Sequence, residues 1–146
     1  MYVTITIAGD PTSWWTEAVA DASAFAAELA QGPVNVPVFY PVAGNLLISK
    51  GASVAIFAVP PTVSWIPSDA QAPVATLYVQ AAPTGDDSGY ELPVGTDIVN
   101  LAEQIKDSMT HGTTITIPVS SGLSRGVAVL NGASLTFAVV CPPPTP

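Results

Sequence analysis

The sequence predicts an α+β fold: a tandem duplication of one β-α-β-β-β unit, with mostly antiparallel sheet and one helix per unit packed on it. Three observations carry that expectation. Weakly similar segments recur in the same order, each opens with β-branched alternation before changing to helical spacing, and each closes with two strand-like runs around a glycine turn. Units of roughly 70 residues are marginal alone, so the halves are expected to join about a pseudo-twofold axis into one mixed sheet or sandwich.

The repeat is read position by position. Thr4, Ile5, Thr6 and Ile7 stand against Thr76, Leu77, Tyr78 and Val79, and Pro11-Thr12 against Pro83-Thr84. Val19, Ala22, Phe25 and Leu29 match Val99, Ala102, Ile105 and Met109, and Gly32 matches Gly112. Gly51-Ala52-Ser53-Val54-Ala55-Ile56 returns as Gly132-Ala133-Ser134-Leu135-Thr136-Phe137, after which Pro61 meets Pro142. The spacing between copies widens across residues 85–90, which have turn composition.

Each element has a local reason. Residues 2–8 and 75–81 read as first strands. The first helix is expected to start near Asp10-Pro11-Thr12-Ser13, where short oxygens cap free amides, and to stop at Gly32-Pro33. Trp15, Val19, Ala22, Phe25, Ala26 and Leu29 would form its buried stripe. In the second helix Thr96 would cap, Gly112 would end, and Ile98, Leu101, Ala102, Ile105 and Met109 would face the sheet. Short strands follow at 34–39 and 114–119, and their prolines, Pro37 and Pro118, assign them to edges or bulges because proline gives the ladder no amide hydrogen. Two hairpins complete the units, 45–49 with 52–59 through Lys50-Gly51, and 127–130 with 133–141 through Asn131-Gly132. The expected organisation is a first unit at 1–62, a linker rich in Pro, Ser and Ala at 63–73, a second unit at 74–141 and an extended proline tail at 142–146.

Composition narrows function. Only 3 Lys and Arg accompany 11 Asp and Glu, giving a net charge of −8. So few cations cannot neutralise the phosphates that nucleic acid binding needs, and neither nucleic acid nor anionic membrane is an expected partner. No apolar run approaches a membrane helix, and the alternating N-terminus is not a secretory signal, so a soluble chain without a signal peptide is expected. Cys141 is alone, and with His111 as the single histidine it supplies neither an internal disulfide nor a cysteine and histidine zinc site. No phosphate-binding glycine loop, nucleophile elbow or other cofactor motif occurs; no catalytic residue, cofactor or metal is expected.

The remaining candidates are few. Asp86, Asp87 and Tyr90 lie in an acidic turn that would offer at most a weak ligand site, and Glu91 follows them. Trp14 and Trp15 would project about 100° apart on a helix, one inward and one toward the surface. Trp65 and Ile66, set between prolines, would dock on this domain or on a neighbour, and Trp14, Trp15, Trp65 and Ile66, with the tail at Cys141, Pro142, Pro143 and Pro144, are the expected anchors of contacts between subunits. With 49% hydrophobic residues and only 10% charged ones, a monomer would expose more apolar surface than soluble monomers tolerate. The expectation is therefore a non-enzymatic structural or assembly protein whose partners are other protein subunits, in a homo-oligomer or larger particle. A bacteriophage or viral particle, with the chain as capsid decoration, capsid-associated or tail component of the virion, is the leading setting. The alternative is a small carbohydrate- or ligand-binding module using Trp14 and Trp15.

Overall fold

The computed structural model describes residues 2–80, 89–121 and 123–144. It is α+β, with two helices and mostly antiparallel sheets. Strand β1 (Val3–Ile7) buries Val3, Ile5 and Ile7 and leaves Thr4 and Thr6 half-buried, as its alternation requires. The chain then turns through Gly9, at φ +90°, into β2 (Ser13–Thr16), which pairs antiparallel with β1 and sets Trp14 opposite Ile5.

Here the structure departs from the sequence reading, which starts a helix at these residues. The Asp10 carboxylate accepts the Thr12 amide (3.0 Å) and the Trp14 indole N–H (2.9 Å). That Asx turn closes a hairpin, and adjacent aromatics suit a pleated, half-buried surface. Helix α1 (Ala22–Gln31) begins later, at an Asp21 cap that accepts the Ser23 amide, and ends at Gly32. Of the expected stripe it buries Phe25 and Leu29; Val19 is buried in the segment before it.

Strands β3 (Val34–Val38) and β4 (Gly44–Ile48) pair antiparallel, whereas β5 (Val54–Ala58) pairs with β1. The expected hairpin through Lys50-Gly51 does not form, and that turn carries the chain from one sheet to another. Beyond residues 60–73 come β6 (Thr76–Val79), β7 (Tyr90–Glu91), α2 (Ile98–His111), β8 (Thr114–Ser121), β9 (Ser124–Asn131) and β10 (Phe137–Cys141). Each half thus carries a second short strand ahead of its helix, β2 or β7, that the β-α-β-β-β reading lacks. Asp97, not Thr96, caps α2 by accepting the Asn100 amide, while the Thr96 hydroxyl donates to the Pro93 carbonyl. Gly112 takes the left-handed position, φ +66°, as expected.

The hairpin in this half is β8 with β9, not the expected one through Asn131-Gly132. From Gly132 the chain passes over the end of α2, so closely that a Cβ there would overlap the Ser108 carbonyl, and β10 inserts between β4 and β6. The result is a three-stranded sheet, β2-β1-β5, and a seven-stranded sheet, β3-β4-β10-β6-β7-β8-β9. They meet where Trp15 and Tyr40 form a bridge, with the Trp15 amide donating to Tyr40 (3.0 Å) and the Phe39 amide donating to Trp15 (2.9 Å). Pro37 sits in the sheet-edge strand β3, and Pro118 lies beyond the single β7 contact at Ser120, so both prolines occupy open ladder positions.

Two cores result. One packs α1 through Phe25 and Leu29 against β1, β3 and β4; the other packs α2 through Leu101, Ile105 and Met109 against β8, β9 and β10. The middle strands divide them. Leu46 and Ile48 of β4 enter the first core and Leu47 the second, while Phe137, Val139 and Cys141 of β10 enter the first and Ala138 and Val140 the second. Among the described residues, no helix is long and apolar enough to cross a membrane.

Candidate assembly surface

The alternation that fills the cores also decides which apolar side chains stay outside. In β9, Leu130 is buried and Ala128 half-buried, so Val127 and Val129 must face outward, and they are 60% and 63% exposed. In β5 the same rule turns Val54 and Ile56 toward α1 and leaves Phe57 61% exposed. Among the described residues β9 ends the seven-stranded sheet and β5 ends the three-stranded one, so within them both strands present unpaired backbone beside exposed apolar side chains. Soluble sheets usually blunt such edges with charge or proline; across β9 the one charged residue is Arg125.

A second apolar surface surrounds the tryptophans. Trp14 is fully buried and its indole N–H is held by Asp10, so it is withdrawn from the exposed candidates; alternation along β2, not helical rotation, separates it from Trp15. The Trp15 ring stands edge-to-face with Phe39 (6.5 Å) and with Trp65 (6.3 Å), and Phe39 in turn with Tyr2 (5.8 Å). Such crossed rings offer no pair of parallel aromatic faces to a sugar. The segment carrying Trp65 docks on its own half: the Ala43 amide donates to the Ala70 carbonyl (2.6 Å), the Ala70 amide donates to the Phe39 carbonyl (3.2 Å), and Ala72 is buried. Trp65 nevertheless remains 64% exposed. Ile66 lines an apolar groove of about 450 Å³ with Tyr2, Val59, Pro60, Pro61 and Val63, beside the end of β5.

The other candidates are scattered. Cys141 is a buried free thiol at the end of β10, and burial pushes its pKa up to about 12, opposite to what a nucleophile needs. Pro142, Pro143 and Pro144 leave the sheet exposed. Tyr90 lies on β7 opposite Leu77, 40% exposed, while Asp86 and Asp87 lie outside the described residues. His111, in the last turn of α2, donates from Nδ1 to the Asp107 carbonyl (3.1 Å). Among the described residues no three His, Cys, Asp or Glu side chains gather as a metal site.

Sequence reasoning missed Phe57, Val127 and Val129 because it placed their strands in hairpins, where their outward faces needed no explanation. The signal was present in β9, where Val127-Ala128-Val129-Leu130 is apolar on both faces, the pattern of a strand covered on both sides. Comparison with known proteins found no matching family model, curated protein or solved structure.

Proposed function

We propose that the chain is a non-enzymatic structural protein that works by assembling with other protein subunits, in a bacteriophage or viral particle as a capsid decoration, capsid-associated or tail component. The observation that carries this reading is the pair of apolar edges, β5 and β9, left open at the two ends of the sheet system. Burying Phe57, Val127 and Val129 would remove from water surface worth about 1.5–3 kcal/mol for each fully buried side chain. The low charge content fits a surface meant to be covered.

The same reading takes the chain as a tandem duplication, extended to a ββαβββ unit. Strand pairing supports it, since β2-β1-β5 has the same order as β7-β6-β10 and β3-β4 the same as β8-β9. Core-facing residues keep step: Val34, Val36 and Val38 correspond to Ile115, Ile117 and Val119, and Phe25 and Leu29 to Ile105 and Met109. Within the chain the units meet head to tail. A twofold axis that placed β4 on β10 would also place β9 on β5, whereas these two strands end different sheets.

Light scattering over a concentration range tests the proposal. Multiples of 14.9 kDa that persist on dilution are expected; a monomer at every concentration would remove self-assembly from the reading.

A further inference from the structure

The head-to-tail relation has an unused half. Inside the chain, β4 of the first unit pairs antiparallel with β10 of the second, Leu46 opposite Val139 and Leu47 opposite Ala138. By the correspondence of units, β9 is the second copy of β4, and β5 is the first copy of β10. Those are the two open edges.

Residues at the internal junction and at the open edges match in detail. Aligning the core-facing Leu46 and Ile48 with Ala128 and Leu130 sets Leu47 against Val129 and Gly44 against Gly126. Leu47 is fully buried at the junction, whereas Val129 is 63% exposed. At Gly44 a Cβ would lie 2.7 Å from the Val140 carbonyl oxygen and 3.1 Å from Cys141 Sγ, so the junction requires glycine there. Among the described residues Gly126 has no neighbour within 4 Å of such a Cβ: it is a glycine at the matching position without a described neighbour that explains it. On the opposing side the cores set Val54 and Ile56 against Ala138 and Val140, three residues beyond the sequence match of Val54 with Leu135, and this places the exposed Phe57 against the fully buried Cys141.

We infer that β9 of one copy of this chain pairs antiparallel with β5 of the next copy, repeating the β4–β10 junction between molecules. This rests on the assembly reading above and names its interface. The register follows from the internal one: Ala128 opposite Ala55, Val129 opposite Val54 and Gly126 opposite Phe57. Because the two edges differ, the contact is heterologous and generates rings where the rotation closes and filaments where it does not. Val129 then covers the half-buried Val54 and Ile56, as Leu47 covers Ala138 and Val140.

The test combines Gly126→Val, Val129→Lys and the double variant Ala55→Cys/Ala128→Cys, with Val99→Lys on the exposed face of α2 as control. Directly opposed antiparallel residues lie within disulfide reach. Under mild oxidation the double variant is expected to give a ladder of multiples of 14.9 kDa on a non-reducing gel, while neither single cysteine variant does. Gly126→Val and Val129→Lys are expected to raise the association midpoint at least tenfold in light scattering with an unchanged circular dichroism spectrum, and Val99→Lys to leave it unchanged. A monomeric wild type overturns both this inference and self-assembly. A wild type that assembles, with no ladder from the double variant, overturns the β9–β5 interface alone, as does cross-linking by Ala55→Cys or Ala128→Cys on its own.

Discussion

Cys141 shows how burial sets chemistry at one residue. Its thiol lies in the first core, and desolvation raises its pKa from 9.0 to about 12. The unfolded chain therefore releases this proton first: the thiol's contribution to stability is complete below about pH 9 and is lost as pH rises toward 12, at up to about 1.4 kcal/mol per pH unit. Urea titrations of wild type and Cys141→Ala should differ by a constant amount below pH 8 and converge above pH 9; parallel curves would mean a solvated thiol. Native protein should likewise react with a thiol reagent only at its unfolding rate. Glycines make the complementary case. Gly51 and Gly132 look alike in sequence, yet a Cβ at Gly51 meets nothing nearer than Ser49 Oγ at 3.8 Å, whereas one at Gly132 overlaps the Ser108 carbonyl. Gly132→Ala is expected to cost about 2–3 kcal/mol in urea unfolding and Gly51→Ala less than about 1. Equal costs would show that the helix end yields to the added methyl.

Elements were legible where their cause is local. The strands rest on period-two alternation, α2 on its stripe and Gly112, and the open-ladder positions of Pro37 and Pro118 on their missing amides. Strand β2 was misread as helix because Asp10-Pro11-Thr12-Ser13 has the composition of a helix start, and the deciding bond, from the Trp14 indole to Asp10, competes through a tertiary surface. Asp10→Ala removes the acceptor of two hydrogen bonds and leaves the buried indole N–H unmet, so it is expected to cost about 3 kcal/mol. Asp10→Asn, which retains one carbonyl acceptor, should recover part of that. A neutral Asp10→Ala would mean that the hairpin is held by Trp14 burial alone. Pairing partners were the illegible part: nothing local to Lys50-Gly51 or Asn131-Gly132 reveals that the next strand joins a distant neighbour. The exposed edges at Phe57 and Val129 were hidden by the same error, because a strand assigned to the wrong partner is also assigned the wrong open side.

At the scale of the molecule, β4, β10 and β6 form a shared wall, and this couples the core of α1 to the core of α2. Leu47 belongs to a strand of the first half, yet its side chain is fully buried in the core of α2. Tyr78, Phe137, Val139 and Cys141 make the reciprocal crossing from the second half into the core of α1. Neither helix therefore has a complete core without the other half, and the chain should unfold as one cooperative unit. The tryptophans, Trp14, Trp15 and Trp65, all lie in the first half, so their fluorescence reports on it, while hydrogen exchange of the α2 amides reports on the second. Leu47→Ala is expected to cost about 2–5 kcal/mol and to lower the urea midpoint of both probes equally. Loss of α2 protection at a urea concentration where tryptophan fluorescence stays native would instead mean two separable cores, with β4–β10 a contact between domains and not a wall within one.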